Sequence, residues 1–181
     1  MGSNNDISLK ALAKINLGLD VVRRREDGYH EVRMIMQTIH LYDRLDIKRT
    51  KEPGIQIQTN LSFLPVNENN LIYKAAKLLM DEFSITDGVS VKLDKRIPVA
   101  AGMAGGSTDA AAMLIGVNRL FSLGLTKKQL MERGVQIIAS PREHELITTD
   151  PRDIARIRQR QHIEEARRRR HPTKEKVTND E

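Results

Sequence analysis

The sequence predicts an α+β fold, because its segments with strand character come first and most of its helical segments come later. Several predicted strands are followed by a helix, a further strand, a glycine-rich loop and two more helices. This order differs from the regular alternation of strand and helix that produces a doubly wound parallel sheet. We expect one folded domain over residues 1–138 and a separate charged tail over residues 139–181, where the composition changes abruptly.

The first third of the chain is predicted to consist of strands joined by short connections. The sequence RRREDG, Arg23–Gly28, is expected to form a solvated turn, because two acidic residues follow its three arginines at once. Apolar residues alternate or cluster in the other segments, as they do in half-buried strands. The predicted strands are Ile7–Leu12, Ile15–Val22 (joined to the first at Ala13 and Lys14), Val32–Leu41, Arg44–Arg49 and Gly54–Thr59.

Helical spacing begins after Asn69 and Asn70, where an asparagine is a favourable N-cap. Apolar residues recur every three or four positions through Phe83, which predicts an amphipathic helix. Thr126 is expected to cap a short helix near the end of the domain. The later elements are predicted as a strand over Val89–Leu93 and helices over Gly106–Phe121 and Lys127–Arg133.

The stretch Lys95–Ala112, KRIPVAAGMAGGSTDAAA, has the features of a phosphate-binding loop. Glycine lets the backbone approach a ligand closely, and the start of the next helix presents unpaired N–H groups to an anion. Ser107 or Thr108 is expected to cap that helix or to reach a magnesium ion. We interpret Asp109 as a structural acid near the helix dipole. A glycine-rich turn alone is more often a tight connection, and this spacing matches neither a Rossmann nor a Walker loop.

Composition excludes several classes of function. The chain has 181 residues, a net charge of +6, no cysteine and no tryptophan. Disulfides, thiolate metal sites and cysteine nucleophiles are therefore excluded. The first residues lack the pattern of a secretory signal and the apolar runs are too short to span a bilayer, so we expect a cytoplasmic protein without a membrane partner.

The combination P-x-x-x-G-x-x-G-G-S-[ST]-D-A-A, which begins at Pro98, resembles the phosphate loop of the GHMP kinases. Together with AKINLGLDVVRRREDGYHEV, residues 13–32, it resembles the 4-diphosphocytidyl-2-C-methyl-D-erythritol kinase family within that group. The likeness extends from about Leu9 to about Ile137. It implies a mixed, mostly antiparallel sheet with helices on one face. It also implies phosphorylation of a hydroxyl of that small-molecule substrate in non-mevalonate isoprenoid precursor biosynthesis, with ATP and Mg²⁺ as cofactors.

The resemblance assigns roles to individual residues. Lys14 matches the catalytic lysine, and Asn16, Tyr29 and His30 match the substrate pocket. Ser107 is the candidate magnesium contact. Without the resemblance, Lys14 would be interpreted as a lysine that extends from a strand to solvent, and His30 as a surface residue. The implied ATP-binding residues are Pro98, Val99, Ala100, Ala101, Gly102, Met103, Ala104, Gly105, Gly106, Ser107 and Thr108.

The sequence departs from the family after the segment Gly134–Ile137. The family's general base is an aspartate in a G-A-D-[VI]-P segment, and Ser140 stands at that position here. A serine hydroxyl needs another base before it can accept a proton at neutral pH. The resemblance also ends there, so we expect the family's second domain to be missing from this truncated chain. A catalytically impaired nucleotide-binding fragment is therefore the alternative function.

The charged tail over residues 139–181 leaves further alternatives open. Its sequence favours a mobile charged helix over Pro151–Arg170 or disorder, because few apolar side chains are available for burial. The run Arg167–Arg170 is compatible with a nucleic-acid-binding module, but acidic neighbours and missing aromatics make nucleic acid an unfavoured partner. An interrupted or shifted reading frame is the preferred interpretation of the tail. We also expect self-association through the face that a second domain would cover.

Overall fold

A computed structural model of the chain describes residues 5–24 and 30–138. These residues confirm the α+β class, with strands first and a helix-rich second half. The elements, in chain order, are β1 (Asp6–Arg24), β2 (His30–Thr50), β3 (Ile55–Thr59), α1 (Leu71–Glu82), β4 (Gly88–Asp94), α2 (Gly105–Leu120) and α3 (Lys127–Ile138).

The four strands form one sheet in the order β1-β2-β4-β3. β1 and β2 are antiparallel, β2 and β4 are antiparallel, and β3 runs parallel to β4. The parallel pair is joined through α1, since parallel neighbours need a crossover connection. The sheet is therefore mixed and mostly antiparallel, as the family resemblance implied.

The prediction of four separate strands before residue 50 was wrong, because β1 and β2 form one long hairpin. The predicted junction at Ala13 and Lys14 is a bulge: Leu12 lies opposite Tyr42, whereas Lys14 lies opposite Thr38. A bulge interrupts the alternation of side chains while the ladder continues beyond it. The sequence pattern therefore suggested the end of a strand where the strand has a bulge and then continues.

The predicted turn over Arg23–Gly28 begins too early. Arg23 and Arg24 belong to β1, where they lie opposite Glu31 and His30. The Nε of Arg23 donates a 2.5 Å hydrogen bond to Glu31. The first two arginines therefore belong to the strand, and residues 25–29 lie outside the described part of the chain.

The helix predictions are confirmed with small changes at their ends. Asn70 caps α1, because its side-chain oxygen accepts a 2.9 Å hydrogen bond from the backbone N–H of Ile72. Thr126 and Gln129 form a reciprocal capping box at the start of α3. α3 continues five residues beyond the predicted Arg133, to Ile138. Its last turn buries Ile137 against the core, which the short sequence window did not reveal.

The core lies between one face of the sheet and the helices α1 and α2. Alternate residues of β2 and β4 are buried on this face, and the small residues of α2 allow the helix to approach closely. No helix among the described residues is long and apolar enough to cross a membrane. The largest fully buried apolar side chains are Leu45, Ile47, Ile72, Leu79, Val89, Val91, Leu93, Ile97, Met113, Leu114 and Val117.

The distal half of the β1–β2 hairpin extends beyond this core and exposes apolar side chains. Leu19 and Met34 lie directly opposite each other on it and remain 52% and 42% exposed. Most single exposed apolar residues need no explanation, but neighbouring ones on paired strands form a patch. Residues two positions apart on a strand share a face, so we call the surface formed by Leu19, Val21, Met34 and Met36 the distal hairpin patch.

Candidate phosphate-binding site

The loop between β4 and α2 has a backbone that is unusual for its sequence. Ala100, Gly102 and Ala104 all have positive φ angles, of 58°, 71° and 61°. The left-handed conformation costs a non-glycine residue on the order of 1–2 kcal/mol. Such a conformation persists only where surrounding contacts hold it. The loop is therefore a tight, constrained turn and not an open connection.

The N-terminus of α2 is free of side-chain capping, which corrects one prediction. Its N-cap is Ala104, whose side chain has no polar group, and no side-chain hydrogen bond caps it. Thr108 does not cap the helix either, because its hydroxyl lies 3.1 Å from both the Ala104 and Gly105 carbonyl oxygens. The first N–H groups of a helix have no partner within it. Those of Gly105, Gly106 and Ser107 therefore suit an anion at this end.

Gly105 is required by packing, although its φ angle is not positive. A Cβ atom added at Gly105 would lie 2.8 Å from the Nζ of Lys95 and 3.0 Å from Cγ2 of Ile97. Both atoms belong to the segment that leads into the loop. Glycine here allows the beginning and the end of the loop to pass close to each other, which narrows the turn.

Lys14, the predicted catalytic lysine, contacts the loop through its backbone. Its backbone N–H donates a 3.1 Å hydrogen bond to the carbonyl oxygen of Met103. Its ammonium Nζ lies 3.1 Å from Oδ1 of Asn16, another predicted site residue. The structure therefore brings together Lys14, Asn16 and the loop.

His30, another predicted substrate residue, is not brought to this place. His30 lies eight positions along β2 from Thr38, the residue opposite Lys14. At about 3.3 Å per residue, that separation is up to roughly 26 Å along the strand. Tyr29 and Ser140 lie outside the described residues. The roles of His30, Tyr29 and Ser140 stay predictions.

A buried charge cluster lies beneath the loop. The Nζ of Lys95 donates to Oδ2 of Asp43 and, at 2.7 Å, to Oδ2 of Asp109. The second oxygen of Asp43 accepts backbone hydrogen bonds from Arg96 at 2.5 Å and from Ile97 at 2.8 Å. All three charged side chains are at least 96% buried. We call Asp43, Lys95 and Asp109 the buried triad.

The role assigned to Asp109 from the sequence, an acid at the helix dipole, was wrong in its physical cause. α2 begins at Gly105, so Asp109 lies beyond its first turn and its Oδ2 pairs with Lys95. Its Oδ1 is buried without a hydrogen-bond partner among the described residues. Burial, helped by the nearby Asp43 and opposed by Lys95, raises the pKa of Asp109 to about 7. A carboxyl group that titrates near neutrality thus lies one turn inside the helix.

Asp43 and Lys95 are site residues that the sequence reasoning missed. One signal was available, because Asp43 has the same strand parity as Leu45 and Ile47 and therefore faces the core. A charged residue at such a position must find a buried partner. The identity of that partner was hidden, because Lys95 is 52 residues away.

The donor set fits a magnesium ion held mainly by phosphate. Among the described ranges, no group of three or more His, Asp or Glu side chains could hold a metal ion. Mg²⁺ often keeps several waters and binds one or two protein oxygens together with substrate phosphates. Ser107, half-buried in the first turn of α2, offers one such oxygen at the site.

Comparison with known proteins agrees with this geometry. The sequence model of the family described as "GHMP kinases N terminal domain" matches residues 70–142. The 4-diphosphocytidyl-2-C-methyl-D-erythritol kinase of Lachnoclostridium phytofermentans is 61% identical over 131 residues, which are 72% of this chain and 45% of that protein. The corresponding kinase of Lachnospira eligens is 60% identical over 72% of this chain and 46% of its own length. The chain thus spans about half the length of these relatives.

A solved structure of 4-(cytidine 5'-diphospho)-2C-methyl-D-erythritol kinase matches with a TM-score of 0.63 and 36% sequence identity. The match covers 72% of this chain and 46% of that structure. The described part of the chain is therefore a GHMP kinase N-terminal domain. Within that class, this N-terminal part of the chain is similar to the corresponding part of the 4-diphosphocytidyl-2-C-methyl-D-erythritol kinases.

Proposed function

We propose that the chain binds ATP with Mg²⁺ at the loop Pro98–Thr108 and takes part in phosphorylation of a hydroxyl of 4-diphosphocytidyl-2-C-methyl-D-erythritol. The observation that carries this proposal is the contact between Lys14 and Met103, which holds a lysine beside an uncapped helix N-terminus. Phosphoryl transfer depends mainly on positioning and on stabilisation of negative charge. The proposed reaction places this chain in isoprenoid precursor biosynthesis.

Each residue of the site has a defined task in this proposal. The N–H groups of Gly105, Gly106 and Ser107 bind phosphate oxygens at the helix N-terminus. The Lys14 ammonium, oriented by Asn16, stabilises negative charge near the reacting hydroxyl. Bound magnesium would neutralise phosphate charge, with Ser107 as its protein contact. Tyr29 and His30 are proposed contacts of the cytosine ring on the strength of the family resemblance.

A second candidate is nucleotide binding without turnover. It is favoured by Ser140, which stands where the family has its general base. General-base assistance contributes about 10² to 10⁴ in rate, so its loss alone would lower turnover strongly. The two candidates share the nucleotide site and differ only in whether ADP is released in a substrate-dependent way.

The test is ADP release by the full chain with ATP, magnesium and the diphosphocytidyl substrate, compared with Lys14→Ala. This variant keeps the backbone N–H and therefore the contact with Met103, while it removes the side chain beyond Cβ together with its ammonium group. Its matched control is Lys10→Ala. Lys10 lies on the same strand as Lys14, and its ammonium group lies over the ring of Tyr42 on β2. Turnover lost in Lys14→Ala and kept in Lys10→Ala supports the kinase. ATP binding without turnover supports the second candidate.

A further inference from the structure

We propose that Asp43 is a positioning residue of the nucleotide site, because it ties both ends of the loop Pro98–Ala104 to the base of the β1–β2 hairpin. The inference rests on the proposed nucleotide binding. It assigns a role to a β2 residue that lies 52 residues before Lys95 in the sequence. Asp43 does not contact the nucleotide in this proposal and acts through the loop.

The entrance of the loop is fixed by one oxygen of Asp43. That oxygen accepts hydrogen bonds from two successive backbone N–H groups, those of Arg96 and Ile97. Successive N–H groups that converge on one carboxylate oxygen fix the direction of the backbone just before Pro98. Because Asp43 is fully buried, water does not compete for these bonds.

The exit of the loop is fixed through the other oxygen of Asp43. Lys95 bridges it to Asp109, which lies in α2 just after the N–H groups that would bind phosphate. The Nζ of Lys95 also lies directly below Gly105, where no side chain fits. The position of the helix start is therefore linked to the same carboxylate that fixes the loop entrance.

The last part of the loop, at Met103, is held from the same part of the fold. Met103 accepts its hydrogen bond from Lys14 on β1, and Ala11 of β1 lies directly opposite Asp43 on β2. Three points of the loop thus depend on a few paired residues at the base of the hairpin. This support accounts for the persistence of positive φ angles at Ala100 and Ala104, which alanine does not favour.

We call the contacts that Asp43 makes with the loop the Asp43 clamp. Loss of this clamp should change the affinity for different ligands by different amounts. Loss of the clamp alters the positions of the N–H groups that receive phosphate, so affinity for a nucleotide should fall more than affinity for a nucleoside. General destabilisation of the domain should lower the affinities for ATP and for adenosine by similar factors. The ratio of the adenosine Kd to the ATP Kd therefore separates positioning from mere stability.

The experiment compares Asp43→Asn with Leu79→Ala, a fully buried truncation on α1 away from the loop. For Asp43→Asn we expect the ATP Kd to rise at least about tenfold while the adenosine Kd changes less than about twofold, because the loop loses one charged anchor. For Leu79→Ala we expect an unchanged ratio of the two constants. If Asp43→Asn changed the Kd of ATP and the Kd of adenosine by the same factor, as expected for Leu79→Ala, the proposal would be overturned.

A second measurement covers the case in which Asp43→Asn does not fold. In the wild-type chain, the amides of Arg96 and Ile97 should exchange with solvent as slowly as the central amides of α1, because both are held by a buried carboxylate. Exchange as fast as in an exposed loop would overturn the clamp. This measurement needs no nucleotide. If the wild-type chain failed to bind ATP, the proposed function would be contradicted, but the exchange rates would still show whether Asp43 holds the backbone at Arg96 and Ile97.

Discussion

The backbone N–H of Lys14 donates a 3.1 Å hydrogen bond to the carbonyl oxygen of Met103, across 89 positions of sequence (103 − 14). This contact joins the first strand of the sheet to the last part of the glycine-rich loop. It places Lys14 next to the loop residue that precedes the N-cap of α2, a helix N-terminus that has no side-chain cap. In our proposal, this hydrogen bond brings together the two parts of the phosphoryl-transfer site, which are β1 and the glycine-rich loop.

The two hydroxyls at the start of α2 should differ in their importance for magnesium. Thr108 already uses its hydroxyl hydrogen on helix carbonyls, whereas Ser107 has no such bond described. We expect Ser107→Ala to weaken magnesium-dependent ATP binding about tenfold, the effect of losing one good polar contact. Thr108→Val should change it little. Calorimetric titration with and without magnesium checks this, and the reverse order of effects would refute the assignment of Ser107.

Stability should depend on the protonation of Asp109. Burial raises its pKa to about 7 from an ordinary 3.8, so the native state holds this proton more tightly than the unfolded chain does. The stabilisation is fully present below about pH 4 and is lost as the pH rises through 7. The corresponding loss in the free energy of unfolding is at most on the order of 4 kcal/mol.

Asp109→Asn keeps the shape of this side chain and removes the titration. We expect its stability to fall less than that of the wild type between about pH 5 and pH 8, measured by urea unfolding. Asp20→Asn, at an exposed position of β1, is the matched control and should follow the wild type. A wild-type profile parallel to that of Asp109→Asn would show that Asp109 does not titrate in this window.

The distal hairpin patch should cause self-association of the chain. Leu19 and Met34 are paired across the two strands and half-exposed, and contiguous exposed apolar surface promotes association. We expect light scattering to give a mass above that of the monomer, and Leu19→Lys with Met34→Lys to restore the monomer. Val135→Lys, at an exposed apolar position on α3, should not restore it. A wild-type chain that is already a uniform monomer would contradict this prediction.

The helices and the loop were predictable from the sequence because their signals are local. Asn70 and Thr126 are capping residues that precede apolar periodicity, and both caps form in the structure. The start of α2 was predicted within one residue, at Gly106 in place of Gly105. Glycine residues and a hydroxyl-rich turn are recognisable without knowledge of distant partners.

The long hairpin and the buried triad were not predictable in the same way. A bulge near Lys14 and a polar Tyr42-Asp43 pair both resemble strand ends in a local window, although the ladder continues through them. Asp43 is stable inside a strand only because Lys95 and two backbone N–H groups satisfy its oxygens. Such long-range compensation leaves no local pattern, because the residues around Asp43 do not reveal which distant cation pairs with it.

The most direct test of the nucleotide site compares two glycines. Gly102 in the loop and Gly124 after α2 both have φ of +71°, and a Cβ added at either would meet nothing within 4 Å. Gly102→Val and Gly124→Val therefore impose the same backbone strain, but only Gly102→Val imposes it on the proposed phosphate site. A β-branched residue strongly disfavours positive φ.

The measurement is the affinity of the wild type and both variants for ATP with magnesium, by calorimetry. We expect the wild type and Gly124→Val to bind equally well and Gly102→Val to lose at least about tenfold in affinity, because its loop no longer presents N–H groups to phosphate. Equal affinity of the two variants, or no ATP binding by a folded wild-type chain, would contradict the assignment of this loop as the nucleotide site.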